Sequence, residues 1–300
     1  MADDGEVRWD DVHKKFGSVA ALDGFSMHAG PGVHCVLGAN GAGKSTAFAV
    51  LTGARRPDTG TVTVGGTPVR RGGPASRLIG FAPQAMFFPL TVTVREAVAF
   101  VAAHYPNRAD VDEVLDAVGM TTEARRLCGG LSGGQTRRLG LACALVGQTP
   151  VLVLDEPVAG LDRPGQKLLH ALIRRLGDEG RTVLVASHDL AEVDEIADTV
   201  TLVARGRVLL TDTAEGVRNR LGSVRVSFTA DDAALRTLTT RYPGLEPALD
   251  GEGRRSVVTD RPDDIARVIL NECDDPHLRV HDRTLAEALD ALLDEAGAPA

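Results

Sequence analysis

Residues 38–46 read Gly38-Ala39-Asn40-Gly41-Ala42-Gly43-Lys44-Ser45-Thr46, three glycines, a lysine and two hydroxyls in the pattern G-x-x-x-x-G-K-[ST]. Such a loop wraps successive backbone N–H groups around a phosphate chain, because glycine permits backbone angles and a closeness that a Cβ forbids. Lys44 supplies positive charge for the β and γ phosphates, and Ser45 stands where a hydroxyl can ligate Mg²⁺. The loop needs a strand before it and a helix after it. The apolar run 33–37 suits a buried strand, and 46–51 continues as an apolar helix closed by Gly53. That helix start favours an anion through its free N–H groups and its dipole.

Two further groups bear on phosphate chemistry. Residues 151–154 are all apolar and end in Asp155-Glu156. This reads as a central parallel strand delivering acids to its carboxyl end, where doubly wound sheets bind ligands. Asp155 is placed to hold Mg²⁺ through water and Glu156 to polarise an attacking water, although an acidic pair after a strand also begins many ordinary loops. The second group is Leu131-Ser132-Gly133-Gly134-Gln135. Ser132 with Gln135 spells a capping box before the apolar helix 139–145, but paired glycines are superfluous to a cap and suggest a bare helix start built to approach an anion.

With these motifs the sequence resembles the nucleotide-binding domain of ATP-binding cassette (ABC) proteins, whose signature is LSGGQ at this distance before the acidic strand. The resemblance covers roughly residues 5–210, and its motifs come in the family's order. It implies an α/β P-loop NTPase domain with a helical subdomain, ATP and Mg²⁺ as ligands, and hydrolysis of ATP. Carried onto this chain, it makes Phe16 the aromatic that stacks on adenine, where the family usually has tyrosine. Gln84 matches the glutamine that leaves the core sheet and senses Mg²⁺ and the membrane partner. Asp162, in the run 159–162, matches the loop that crosses to a second subunit, and His188 matches the histidine that contacts the γ-phosphate. Residues 182–186 read as another buried strand, so His188 falls at the same sheet edge as Glu156. Glu156, His188, Gln84 and Lys44 are thus the expected catalytic set, and Ser45, Gln84 and Asp155 the expected metal set. The chain departs from the pattern at Thr136, just after the signature, and at Val158, after the acidic pair's proline.

The resemblance also implies partners. Two copies sandwich two ATPs, each facing the loop 38–46 of one subunit and Ser132, Gly133, Gly134 and Gln135 of the other, and closure of the dimer drives a separate transmembrane permease. No stretch of the chain approaches the 18 or so apolar residues of a spanning helix. The acidic start of the chain lacks the apolar core of a signal peptide, so a cytoplasmic protein is expected, peripheral to the inner membrane face through its permease. Four scattered cysteines without C-x-x-C spacing fit reduced thiols. No basic stripe appears, which argues against nucleic acid as a partner.

Charge divides the chain. Residues 211–300 hold 11 Arg and no Lys against 18 acidic residues, and so carry most of the net −8. A boundary is expected near 211–222, with the accessory part at 222–300. There the pattern reads strand at 224–228, helix at 231–241, short strands near 245–249 and 256–259, helix at 263–273 and strand at 278–280, an order that suggests a small ferredoxin-like unit. A capping box from Thr284 to Glu287 opens a final helix with Leu289, Leu292 and Leu293 on one face. Such a tail looks like those of drug-export and polysaccharide-export ATPases of the ABC-2 kind. The combined expectation is an exporter subunit, with an importer subunit or a non-transport ABC ATPase as alternatives.

Overall fold

The computed structural model describes residues 5–221, 224–230, 232–245, 247–249, 254–273 and 275–282. The chain forms two compact units, Met1–Ala214 and Glu215–Ala300. The first begins with β1 (Val7–Phe16), β2 (Val19–Ala29), β3 (Gly32–Leu37), α1 (Lys44–Leu51), β4 (Thr59–Val64), β5 (Thr67–Pro68) and β6 (Ile79–Ala82). Three helices follow, α2 (Val94–Ala102), α3 (Val111–Ala117) and α4 (Gly133–Leu145). The rest alternates as β7 (Val151–Asp155), α5 (Arg163–Asp178), β8 (Thr182–Ser187), α6 (Leu190–Ile196), β9 (Thr199–Ala204) and β10 (Arg207–Asp212).

These strands make two sheets. One is antiparallel, in the order β2-β1-β4-β5; the other has six strands, β10-β9-β3-β8-β7-β6, parallel except for the β9–β10 hairpin. Strands β7 and β8 are buried at every residue, which is why their sequences are continuous apolar runs rather than alternating ones. Each such Val or Leu contributes roughly 1.5–3 kcal/mol by leaving water. Between the sheets lies a core containing Trp9, Phe25, Phe48, Val153 and Leu184. Trp9 meets Phe25 edge-on at 5.9 Å and donates from Nε1 to the Ala47 carbonyl of α1 at 3.2 Å, which fastens the antiparallel sheet to the helix that follows the glycine loop.

Helices α2, α3 and α4 pack on one another as a helical subdomain. Thr93 and Glu96 form a complete capping box at the start of α2. Helix α4 lies so close to β6 that a Cβ on Gly80 would stand 2.0 Å from the Ala144 carbonyl oxygen, so only glycine fits there.

Strand β10 reaches Asp212, two residues beyond the expected end of the first domain, because it completes its antiparallel pairing with β9 through Asp212↔Val200. The second unit contains most of α7 (Ala214–Leu221), then β11 (Val224–Phe228), α8 (Asp232–Arg241), β12 (Ala248–Leu249), β13 (Arg255–Thr259), α9 (Pro262–Glu272) and β14 (Arg279–Asp282). Its antiparallel sheet runs β12-β13-β11-β14 over a core of Val226, Phe228, Leu238, Val257, Ile265, Val268 and Ile269. Among the described residues the strand expected near 245–249 is two residues long and pairs with β13, and Pro243 and Gly244 occupy a turn just before it. The expected final helix, with its capping box and leucine face, lies outside the described residues.

Candidate active site

Three neighbouring parallel strands bring three of the four expected catalytic side chains together, Lys44, Glu156 and His188. Their register sets Leu37 of β3 beside Ser187 of β8, and Ala186 of β8 beside Asp155 of β7. The residues just past these ends are the glycine loop, His188 and Glu156, which therefore emerge at one sheet edge although they lie far apart in sequence. Backbone bonds knit the edge: Gly38 N–H to Ser187 O at 3.3 Å and Glu156 N–H to Ala186 O at 3.1 Å.

In the loop the glycines serve different needs. Gly41 and Gly43 have left-handed backbones, with φ of 84° and 110°. Gly38 has an ordinary φ but no room, since a Cβ there would stand 2.3 Å from the Val203 carbonyl oxygen. Ala39 is half-buried, Asn40 exposed and Ala42 buried, with the Ala42 carbonyl accepting from Gly206 N–H at 2.8 Å. Lys44 opens α1, almost wholly buried, and its Nζ donates to the carbonyls of Gly38 at 2.7 Å and Ala39 at 3.1 Å. Burial lowers the Lys44 pKa, and the carboxylates of Glu156 and Asp155 oppose that shift. Thr46 follows half-buried in the same first turn.

Glu156 is the centre of the group. One carboxylate oxygen lies 3.8 Å from Lys44 Nζ and the other 2.7 Å from His188 Nδ1, while the residue itself is 6% exposed. Its φ of 52° is unusual for a residue with a side chain, a strain of order 1–3 kcal/mol held in place by the strand-end bonds. Beside it, Asp155 is hydrogen-bonded by Ser45, and its buried Oδ1 has no partner among the described residues. Burial raises the Asp155 pKa, the Ser45 bond lowers it, the Glu156 charge raises it and Lys44 and Arg137 lower it.

A second group surrounds the start of α4. Ser132 Oγ accepts from Gln135 N–H at 3.3 Å and Gln135 Oε1 accepts from Ser132 N–H at 2.9 Å, so the capping box is fully formed and the helix start is not bare. Gln135 also donates to Glu123 at 3.2 Å. Gly133 is open, whereas a Cβ on Gly134 would lie 3.4 Å from Gly160 O, which places the loop 159–162 against the helix start. Asp162 caps α5, accepting from Gly165 N–H at 3.1 Å, and Arg138 reaches it at 3.4 Å.

The remaining expected residues are more loosely attached. Gln84 is exposed just beyond β6. Phe16, 45% exposed at the end of β1, has Lys14 Nζ at 5.6 Å and the Arg55 guanidinium at 5.9 Å from its ring centre. Sequence reasoning missed Arg137, whose guanidinium donates 2.6 Å to the Gln84 carbonyl and senses the charges of Asp155 and Glu156.

A family model described as ABC transporter matches residues 22–159. The chain belongs to the ATP-binding proteins of ABC transporters, a family of ATPases coupled to transport whose ATP-binding domains act as dimers with transmembrane partners. It is 34% identical over 276 residues to the daunorubicin resistance ATP-binding protein DrrA3 of Streptomyces coeruleorubidus, covering 89% of this chain and 87% of that protein. It is also 38% identical over 205 residues to the sulfate/thiosulfate import ATP-binding protein CysA of Mycobacterium bovis, covering 66% and 58%. A solved ATP-binding subunit of an ABC transporter superposes with a TM-score of 0.66 at 21% identity, over 72% of this chain and 93% of that one, and shares the fold. Among the described residues no helix is long and apolar enough to cross a membrane.

Proposed function

We propose that this chain is the ATP-hydrolysing subunit of a membrane exporter, working as a homodimer beneath a separate permease at the cytoplasmic face of the membrane. The observation that carries the hydrolytic part is the contact of the buried Glu156 carboxylate with both Lys44 and His188 at the ends of three adjacent strands. Export is supported by the reach of the DrrA3 alignment, which at 89% of the chain must extend into the second unit. The CysA alignment, at 66%, is no longer than the first unit, and it favours import as the second reading.

In this reading residues 38–46 hold the ATP phosphates through backbone N–H groups and Lys44, while Phe16 stacks on adenine. Glu156 accepts the proton of the attacking water at its carboxylate, His188 orients that carboxylate, and Gln84 completes the water's surroundings. Ser132, Gly133, Gly134 and Gln135, with Asp162, face the second copy and its ATP. Mg²⁺ fits what Ser45 and Asp155 offer, a hydroxyl and a buried carboxylate oxygen with no partner among the described residues, hard donors suited to an ion that shares its ligands with substrate phosphates. When bound, it would neutralise phosphate charge. The second unit, with strand order β12-β13-β11-β14, is read as ferredoxin-like and accessory, the first as the ATPase domain.

Glu156→Gln tests the reading, since it removes the base and keeps the shape. We expect turnover to fall by at least about 100-fold with ATP affinity within about threefold, and an ATP-bound dimer to accumulate in sizing runs. Undiminished hydrolysis would remove Glu156 from its role.

A further inference from the structure

Glu192 is a buried acid to which the reading above gives no task. It sits in α6, directly after the segment that carries His188, and is 4% exposed. One oxygen, Oε2, accepts a 2.5 Å hydrogen bond from Ser187 Oγ. The same hydroxyl accepts the Asp189 N–H at 3.0 Å. Ser187 therefore bridges from the acid to the far side of His188, whose ring rests 2.7 Å from Glu156. The bridge anchors both neighbours of the histidine to a helix behind the sheet edge.

We propose that Glu192 is a positioning residue for ATP hydrolysis: through the Ser187 hydroxyl it holds the turn 187–189 so that His188 meets Glu156. The inference rests on the roles given above to Glu156 and His188. A carboxyl is an expensive choice for a buried strut, because burial disfavours its charge. Burial is the main reason that its pKa is pushed up to about 7; Glu156 and Asp189 add to the rise, and the Ser187 bond and His170 oppose it. The charged or titratable groups around it are His170 of α5, paired with Glu195 of α6 at 2.6 Å, Cys35 of β3, Glu156 after β7 and Asp189 before α6. Glu192 thus sits in its charge change near neutrality, one hydrogen bond away from the segment that carries His188.

The test uses the full chain with ¹⁵N-labelled histidine, the His188 ring signals being assigned by their loss in His188→Ala. Glu192→Ala and Ser187→Ala should each displace those ring signals and lower kcat about tenfold, with the KM for ATP within about twofold. Glu192→Gln keeps an acceptor oxygen and loses the ionisation. It should retain the His188 signals and flatten any step in the kcat–pH profile near 7. Unmoved His188 signals together with unchanged kcat in both alanine variants would overturn the proposal, as would a loss confined to KM. If Glu192→Ala does not fold, Ser187→Ala carries the test, since it removes one hydroxyl from the same bridge. The spectra need no turnover, so a failed role for Glu156 as base shows in Glu156→Gln and leaves the reading of Glu192 separately decidable.

Discussion

The two groups of site residues are built on opposite plans. Lys44, Glu156 and His188 meet through tertiary contacts between residues more than 30 positions apart, and the first two are nearly sealed from solvent. Ser132 to Gln135 satisfy each other within four residues, and Ser132 and Gly133 stay exposed. A buried cluster needs the whole sheet to hold it and then works within one chain. An exposed helix start whose cap is closed within four residues is free to meet a second molecule, which is the use proposed for it.

Three variants test this contrast. The largest effect is expected from Ser132→Arg, which places bulk and charge on the outward surface. Turnover should fall about 100-fold while monomeric protein still binds ATP with wild-type affinity, measured by equilibrium binding beside an ATPase assay. Weakened binding in the monomer would mean that the outer group serves its own chain's nucleotide. Lys44→Ala attacks the inner group and should do the reverse, weakening ATP binding itself by roughly 30-fold through loss of a charge-assisted contact. Binding that stays tight would separate Lys44 from the phosphates and leave it a brace for the Gly38 and Ala39 carbonyls.

The smallest effect concerns stability. Glu192 has a folded-state pKa of about 7 against an ordinary 4.5. Below pH 4.5 the proton is bound in both states and burial of the carboxyl carries no pH-dependent cost; as pH rises towards 7 the unfolded chain ionises first, so stability is lost, and above 7 the loss is constant. Glu192→Gln escapes that loss. It should melt about 5 °C above the wild type at pH 8, the gap narrowing as pH falls to 4.5, in thermal scans across that range. A gap independent of pH would mean that the buried acid does not titrate as its surroundings require.

Much of this site was legible because its residues carry their reason locally. The glycine loop needs backbone freedom at Gly41 and Gly43, and both are left-handed; the apolar runs 151–154 and 182–186 need burial on both faces, and β7 and β8 have it. The pair Ser132 and Gln135 was legible as a cap, yet its neighbouring glycines argued for an uncapped helix, and the cap won because a side chain and a backbone N–H three residues apart meet without help from elsewhere. Arg137 and Glu192 were not legible. An arginine on a helix and a glutamate on another look like solvated charges until the fold turns one onto the Gln84 carbonyl and buries the other against Ser187.

The sequence by itself determined the chemistry available: a phosphate-binding loop, an acidic strand end, a histidine strand end and a capped glycine helix start, each fixed by residue type and short spacing. Tertiary structure decided which of them act on one another. Strand order does not follow from local pattern, and it is the placement of β8 between β7 and β3 that carries His188 to Glu156 and Glu156 to Lys44. It also decided that Gly38 must be glycine for want of space rather than for its φ, because the crowding atom, the carbonyl oxygen of Val203, comes from a strand 165 residues along the chain. Local sequence specifies what a residue can do, whereas burial and contact between distant segments are properties of the packed chain alone.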